Sequence, residues 1–415
     1  MDFAPSPRAA DLRERVAAFM KAEVDLVEED YHRDLAERRR TGDPWQPLPV
    51  IEELKAKARE QGLWNLFLPE QHAGDYAARF GTDGGQGLSN VDYAPLAELM
   101  GRSAIAPTVF NCNAPDTGNM EVLLRYGTQA QRDEWLDPLL EGRIRSAFTM
   151  TEPDVASSDA TNMAATAVVD GDEVVINGRK WWSTGVGHRD CRIFVFMGLT
   201  DPDADRHHRH TMVLVPRDAP GVRIERLLNT MGYQDEPVGH GEVSFTDVRV
   251  PVGNIISGPG EAFAIAQGRL GPGRVHHCMR LIGLSEMALE RAVKRGLERT
   301  AFGKPLVNLG GNRERIADAR IAIDQARLHV LHAAWKLDQG GPLNALSEVS
   351  QIKVAVPRMA QQVIDMAIQL HGGGGMSDDF PLAMAYVNAR TLRLADGPDE
   401  VHQGMVARLE IGKHS

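Results

Sequence analysis

The sequence predicts a mainly α-helical protein interrupted once by a small antiparallel β domain. Helical periodicity fills the first third, with apolar residues recurring every three or four positions. Near Arg145 that texture gives way to short β-branched runs separated by turns, and from Gly260 helices return and persist. The expected domains are N-terminal helices over 1–144, a middle β domain over 145–258 and a C-terminal helical bundle over 259–415.

The opening stretch, 11–36, is charged but keeps an apolar stripe at Leu12, Val16, Phe19, Val24 and Leu26. Residues 50–61 form a second amphipathic run stopped by Gly62, and 81–87 (GTDGGQG) reads as a loop. Residues 90–101 and 120–140 read as helices, with Thr128 after Gly127 capping a new one. The middle runs are AATAVVDGDEVVINGRKWW, RIFVFMGLT, TMVLVP, GVRIERL and GEVSFTDVRVP, and Asp170-Gly171 predicts a hairpin turn within the first. Later helices are expected over 261–302, 313–339, 346–370, 381–394 and 398–412, with breaks at Gly310-Gly311 and at 372–375.

The 415 residues suffice for two or three packed cores. Lys and Arg total 46 against 57 Asp and Glu, a net charge of −11, which argues against nucleic acid or an anionic membrane as partner. Three scattered cysteines, Cys112, Cys191 and Cys278, make no disulfide framework, so reduced thiols and a cytoplasmic location are expected. No run approaches the ~18 apolar residues of a membrane span, and the N-terminus has no secretory h-region.

Five segments could carry chemistry. Residues 147–159 (AFTMTEPDVASSD) offer hydroxyls and a turn at Pro153-Asp154, and on composition alone read first as a solvated β-turn. In 178–187 (GRKWWSTGVG), strand alternation lets one tryptophan pack inward while Trp182 covers a ligand beside Thr184; core packing is an equal alternative. Arg299 in LERTAFGKPL reads as a phosphate contact or a solvated charge. The glycines of QLHGGGG permit close backbone approach to a diphosphate, though flexible glycine loops are common. In LRLADGPDEVH, Asp396 precedes a helix expected to start with Pro398 in its first turn, which suits an ionised base or plain helix chemistry. The 206–210 run (RHHRH) reads first as a solvated loop, then as a basic loop near the phosphates of a ligand, and last as a metal site; no metal is expected. His276, His277 and Cys278 read as helix packing.

Together, in order, the five segments resemble the acyl-CoA dehydrogenase family. Thr151-Glu152-Pro153 with Ser158-Asp159 resembles its first signature, with one residue more than the common TEPGAGSD form. Trp182-Ser183-Thr184 is similar to its Trp-x-Thr, Arg299, Phe302 and Gly303 to its Arg-x-x-Phe-Gly, and Gln369 through Gly373 to its Gln-x-x-Gly-Gly. The resemblance implies FAD, an acyl-CoA substrate, electron-transfer flavoprotein as acceptor, a role in fatty acid β-oxidation, and a homodimer or homotetramer. It implies that Phe148, Met150, Thr151, Ser158, Trp182 and Thr184 meet the flavin. Arg299, Phe302, Gln369, Gly372 and Gly373 would bind the FAD of a neighbouring subunit, with Glu400 as a further polar contact. Ser158, Arg274 and Gly397 would meet substrate.

Asp396 stands where most members carry a catalytic Glu, one methylene longer. Residues 268–280 hold no carboxylate, so a base from that helix fails; Arg274 is expected beside Asp396, keeping it ionised or forming an ordinary ion pair. The phrases TEPDVASSDATN and LADGPDEVH resemble a branch whose eukaryotic members add a kinase-like domain, and the branch suggests longer or hydroxylated acyl chains. Two rivals are a nitroalkane-oxidase-like flavin oxidase, which also uses an aspartate, and a catalytically silent flavin-binding scaffold.

Overall fold

The computed structural model describes residues 2–415, apart from the side chain of Leu270. Helices of ten residues or more are α1 (Pro7–Phe19), α2 (Glu28–Thr41), α3 (Pro49–Glu60), α4 (Asn90–Met100) and α5 (Asp116–Tyr126) before the sheet. After it come α6 (Ala262–Glu298), α7 (Asn312–Asn344), α8 (Leu346–His371), α9 (Leu382–Thr391) and α10 (Asp399–Ile411). The strands are β1 (Arg145–Thr149), β2 (Thr166–Asp170), β3 (Glu173–Thr184), β4 (Cys191–Leu199), β5 (His210–Pro216), β6 (Val222–Leu227) and β7 (His240–Pro251). The chain forms two compact units, one of Met1–Asp25, Leu88–Pro107 and Gly271–Ser415, the other of Leu26–Gly87 and Thr108–Leu270.

Local differences from the sequence reading have local causes. The 11–36 stretch is not one helix. A π-turn at Met20–Val24 inserts extra residues into the helical repeat, and Leu26 ends 73% exposed beyond it. Thr128 does cap a new helix, through a capping box with Gln131. Helix α6 stops at Glu298, because Phe302 and Gly303 take positive φ and close a two-stranded turn, Thr300–Ala301 against Lys304–Pro305.

In the sheet-bearing unit the strand order is β1-β4-β2-β3-β7-β6, with β5 on β4. The sheet is mixed rather than wholly antiparallel. β1 and β4 run parallel, as two strands separated by the whole β2–β3 hairpin can, whereas tight turns force antiparallel pairing. Inward residues Val174, Ile176, Phe194, Phe196, Val213, Val215, Val243, Phe245 and Val248 form the core, with Phe196 and Phe245 edge to face at 4.8 Å. The inward phase of β3 continues to Lys180, which is wholly buried. Its Nζ donates to the Met150 carbonyl at 2.8 Å, the Met197 carbonyl at 2.7 Å and Glu152 Oε1 at 2.6 Å, one acceptor for each N–H. Glu152 also accepts from the backbone N–H groups of Ala164 and Ala165. Nearby, α5 buries Glu121, whose carboxyl burial pushes up to about 8 despite Arg125 and Arg269.

In the helical unit, α4 crosses α6 at close range. A Cβ on Gly283 would lie 1.9 Å from the Glu98 carbonyl oxygen, and one on Gly101 2.1 Å from that of Arg280, so larger residues would force the helices apart. Glu98 and Glu286 bracket Arg327 of α7, and Asp338 accepts from the backbone N–H groups of Asn90 and Val91 at the start of α4.

Two outcomes are expected. Removing the Lys180 ammonium strands a buried carboxylate, so Lys180→Met should lower unfolding free energy by roughly 3–5 kcal/mol in urea titration, and adding Glu152→Gln should restore part of it. Glu121 has a raised folded pKa, so its stabilisation is complete below the ordinary value of 4.5 and is lost as pH rises to about 8. Glu121→Gln should therefore gain on the wild type across that window, by up to a few kcal/mol, and level off above it. Parallel pH dependence in the two proteins would contradict a neutral buried Glu121.

Candidate functional site

The expected site residues fall into two groups, one in each unit. In the sheet-bearing unit they gather around the segment after β1 and the end of β3. Lys180 holds Met150 by its carbonyl, and the Trp181 N–H donates to the Thr151 carbonyl at 2.9 Å. Ser157, rather than Ser158, closes the turn: its Oγ accepts from the Glu152 N–H at 2.9 Å, while Ser158 is exposed. The additional residue in this segment lies within that turn. Phe148 lies under the Arg269 guanidinium at 4.0 Å, and Arg269 donates to Asn119 Oδ1.

Strand alternation breaks at the tryptophans. Between Lys180 and Ser183, Trp181 and Trp182 together oppose the single residue Glu242 of β7, a β-bulge, and Trp182 has φ of 52°. Positive φ is costly for a bulky side chain. The bulge leaves Trp182 41% exposed with its ring centroid 5.9 Å from that of His240. Thr184 Oγ1 lies 2.9 Å from His240 Nδ1, so Trp182 and Thr184 do converge, through His240. His240 is the direct cross-strand partner of Thr184, a pairing invisible before the strands are aligned.

In the helical unit the centre is Asp396, at φ of 57°, followed by Gly397 at φ of 103°. Aspartate tolerates the left-handed region better than most residues. A side chain on Gly397 would meet His402 Nε2 at 2.9 Å. Arg274 Nε donates to the Asp396 carbonyl at 2.9 Å, so the arginine grips the backbone there. Burial lowers the Arg274 pKa and the Asp396 charge raises it. His402 Nε2 reaches the same carbonyl at 3.2 Å; burial, with Arg274 and Lys353, holds its pKa down to about 4, so at neutral pH the uncharged ring donates. Lys353 donates to the carbonyls of Leu392, at 2.5 Å, and Gly397, at 3.4 Å. Asp399 opens α10 and accepts from Arg358 and Arg393, with Pro398 as the cap rather than inside the first turn. Gly273 of α6 faces the carboxylate: a Cβ there would lie 3.9 Å from Asp396 Oδ2.

His276 and His277 diverge, as neighbours on a helix must. His276 is buried, packs edge-on against Tyr93 at 4.8 Å, and burial pushes its pKa down to about 3. His277 Nε2 instead lies 3.6 Å from Asp396 Oδ2. The sequence reading missed His277, Lys353 and His402. A signal existed for His277, three residues beyond Arg274 and so on the same face of α6.

The expected nucleotide contacts lie elsewhere on this unit. Arg299 and Gln369 are exposed, and Phe302 is 95% exposed. Gly372 ends α8 at φ of 63°, and a Cβ on Gly372 or Gly373 would meet nothing within 4 Å. The Phe380 ring packs against His371 at 4.6 Å and lies under Arg295 at 5.3 Å, which brings the end of α6 to the glycine turn. Glu400 is exposed on the first turn of α10. In the 206–210 run, His210 is buried on β5 within 2.9 Å of the Met163 carbonyl, not in a solvated loop, and His207 stacks on Phe263. Among the described residues no group of three or more His, Cys, Asp or Glu could hold a metal ion, and no helix is long and apolar enough to cross a membrane.

Comparison with known proteins gives three matching family models: acyl-CoA dehydrogenase N-terminal domain over residues 6–143, middle domain over 147–248 and C-terminal domain over 260–410. Mouse acyl-CoA dehydrogenase family member 10 is 52% identical over 410 residues, 99% of this chain but only 37% of that protein. The chain likewise spans 51% of chicken family member 11, at 50% identity. The Mycobacterium tuberculosis protein named "Probable acyl-CoA dehydrogenase FadE2" is 50% identical over 414 residues, 100% of this chain and 98% of its own. A solved structure of a candidate acyl-CoA dehydrogenase from Mycobacterium abscessus is 68% identical, with a TM-score of 0.94 over 99% of this chain and 100% of the other. The FAD complex of PigA has the same fold at 23% identity, with a TM-score of 0.82 and 100% of both chains covered. With the family models together reaching from residue 6 to residue 410 and this identity to a relative of almost equal length, the chain belongs to the acyl-CoA dehydrogenase family.

Proposed function

We propose that this protein is an FAD-dependent enzyme that removes two hydrogens across Cα–Cβ of an acyl-CoA thioester, forming the trans-2-enoyl-CoA, with Asp396 as the base. The observation that carries the proposal is the setting of Asp396. Its carboxylate is one-fifth exposed, its backbone is held by Arg274 and His402, and Gly273 of α6, with no side chain, leaves space beside it.

The residues present fit FAD. The tryptophan ring left exposed by the bulge, beside the Thr184 hydroxyl, suits a flavin. The open glycine turn at 372–373, with Arg299, Gln369 and exposed Phe302, suits the diphosphate end of a cofactor that a second copy of the chain helps to hold. Bound FAD supplies the acceptor for the β-hydride, at its N5 atom. The chain's own residues do the rest. The Asp396 carboxylate takes the α-proton: the C–H bond breaks, an O–H bond forms, and the electron pair remains on the substrate. The α-proton is acidic enough only while donors hold the thioester oxygen as it gains charge, and the Asp396 backbone N–H is the protein's donor. A shorter side chain than Glu must be aimed by its backbone, which the left-handed turn and its tethers support. Electron-transfer flavoprotein is the proposed acceptor, and a homodimer or homotetramer the proposed assembly.

Anaerobic addition of a panel of acyl-CoAs to the yellow protein should bleach the flavin with at least one chain length. Asp396→Asn should keep its flavin and slow that bleaching by about 10²–10⁴-fold. Bleaching at the wild-type rate in the variant would remove Asp396 as the base. Rapid oxygen consumption with a nitroalkane and none with acyl-CoA would favour the oxidase reading.

A further inference from the structure

Arg274, His277 and Arg280 occur at intervals of three along α6, which places them on one stripe of the helix. Arg274 grips the Asp396 carbonyl and His277 faces the Asp396 carboxylate. Arg280 Nη2 lies 3.2 Å from His277 Nδ1. A guanidinium has donors only, so this contact forms only if Nδ1 accepts. The ring proton of His277 is thereby assigned to Nε2, the atom that points at Asp396 Oδ2. The two side chains are each partly exposed, at 19% and 20%.

We infer that His277, its tautomer set by Arg280, is a positioning residue that aims the Asp396 carboxylate at the substrate α-carbon. The inference rests on the reading of Asp396 as the base. An aspartate side chain has a soft terminal torsion, so its carboxylate can sample a wide arc. A donor on one oxygen narrows that arc. The 3.6 Å separation is longer than a hydrogen bond, and catalytic hydrogen bonds commonly shorten when ligand closes the site. The contact is also directional in charge. With Arg280 donating to Nδ1, the ring offers Asp396 a neutral N–H, which orients the carboxylate without forming a full ion pair that would oppose proton uptake.

The test is single-turnover flavin reduction by the best acyl-CoA, on FAD-loaded protein, with the dissociation constant of that acyl-CoA measured separately. His277→Leu removes the donor and should slow reduction about 10–100-fold, while acyl-CoA affinity and FAD content stay within about threefold. His277→Gln places an amide N–H near the position of Nε2 and should recover most of the rate. Arg280→Met frees the tautomer and should give a smaller loss of rate with affinity unchanged; it also serves if the leucine variant does not fold. A wild-type reduction rate in both His277→Leu and Arg280→Met would overturn the inference. So would a glutamine variant as slow as the leucine variant, because a merely space-filling role would not distinguish donors. Asp396→Asn separates the two readings: undiminished bleaching there sinks the base assignment itself, whereas a slow Asp396→Asn with a fast His277→Leu leaves the base and removes only the positioning role.

Discussion

Lys180 carries an ammonium to a point on β3 that no solvent reaches, and a buried charge of that kind is tolerated only when each N–H has an acceptor. Its acceptors come from the segment after β1, through the Met150 carbonyl and Glu152, and from β4, through the Met197 carbonyl. Burial lowers its pKa to about 8 while Glu152 pulls the other way. One cation thus sets the spacing of β3, β4 and the Thr-Glu-Pro segment. The tryptophan bulge begins at the next residue, so the strained backbone of Trp182 is anchored at its near end by Lys180 and at its far end by the pairing of Thr184 with His240.

The helical unit uses the same device around its carboxylate. Lys353, buried on α8, donates to carbonyls on either side of Asp396, and two arginines converge on Asp399 just beyond it. A turn with two consecutive positive φ angles would otherwise be free to choose among several conformations. Arg274, His402 and Lys353 remove that choice by occupying its carbonyls. The result is a carboxylate with a defined origin and a side chain partly open to solvent.

Much of the molecule was legible in the order of its residues. Long helices such as α8, and alternating runs such as those of β3 and β7, announce themselves because burying one face demands a fixed period. The N-cap at Thr128 was readable for the same local reason. Less legible were features in which a short-range signal meets a long-range partner. Strand alternation expects Trp182 and Thr184 on one face, but a bulge interrupts the alternation at Trp182, and both residues reach His240. Both serines of the segment offered a hydroxyl, and only the fold shows that Ser157 closes the turn while Ser158 stays exposed. The parallel pairing of β1 with β4 also lies outside what period and turn residues encode.

The sequence by itself determined the helix–sheet–helix order, the candidate base Asp396, the glycine turns and the family signatures, because each depends on residue type and near-neighbour spacing. Only the tertiary structure decided what those residues touch. It placed His277 rather than His276 against the carboxylate, set Lys180 and Lys353 inside rather than outside, and turned Arg274 toward a carbonyl. The physical reason is that a charged or titratable side chain takes its role from the partners that replace its water, and here those partners come from segments far apart in the chain.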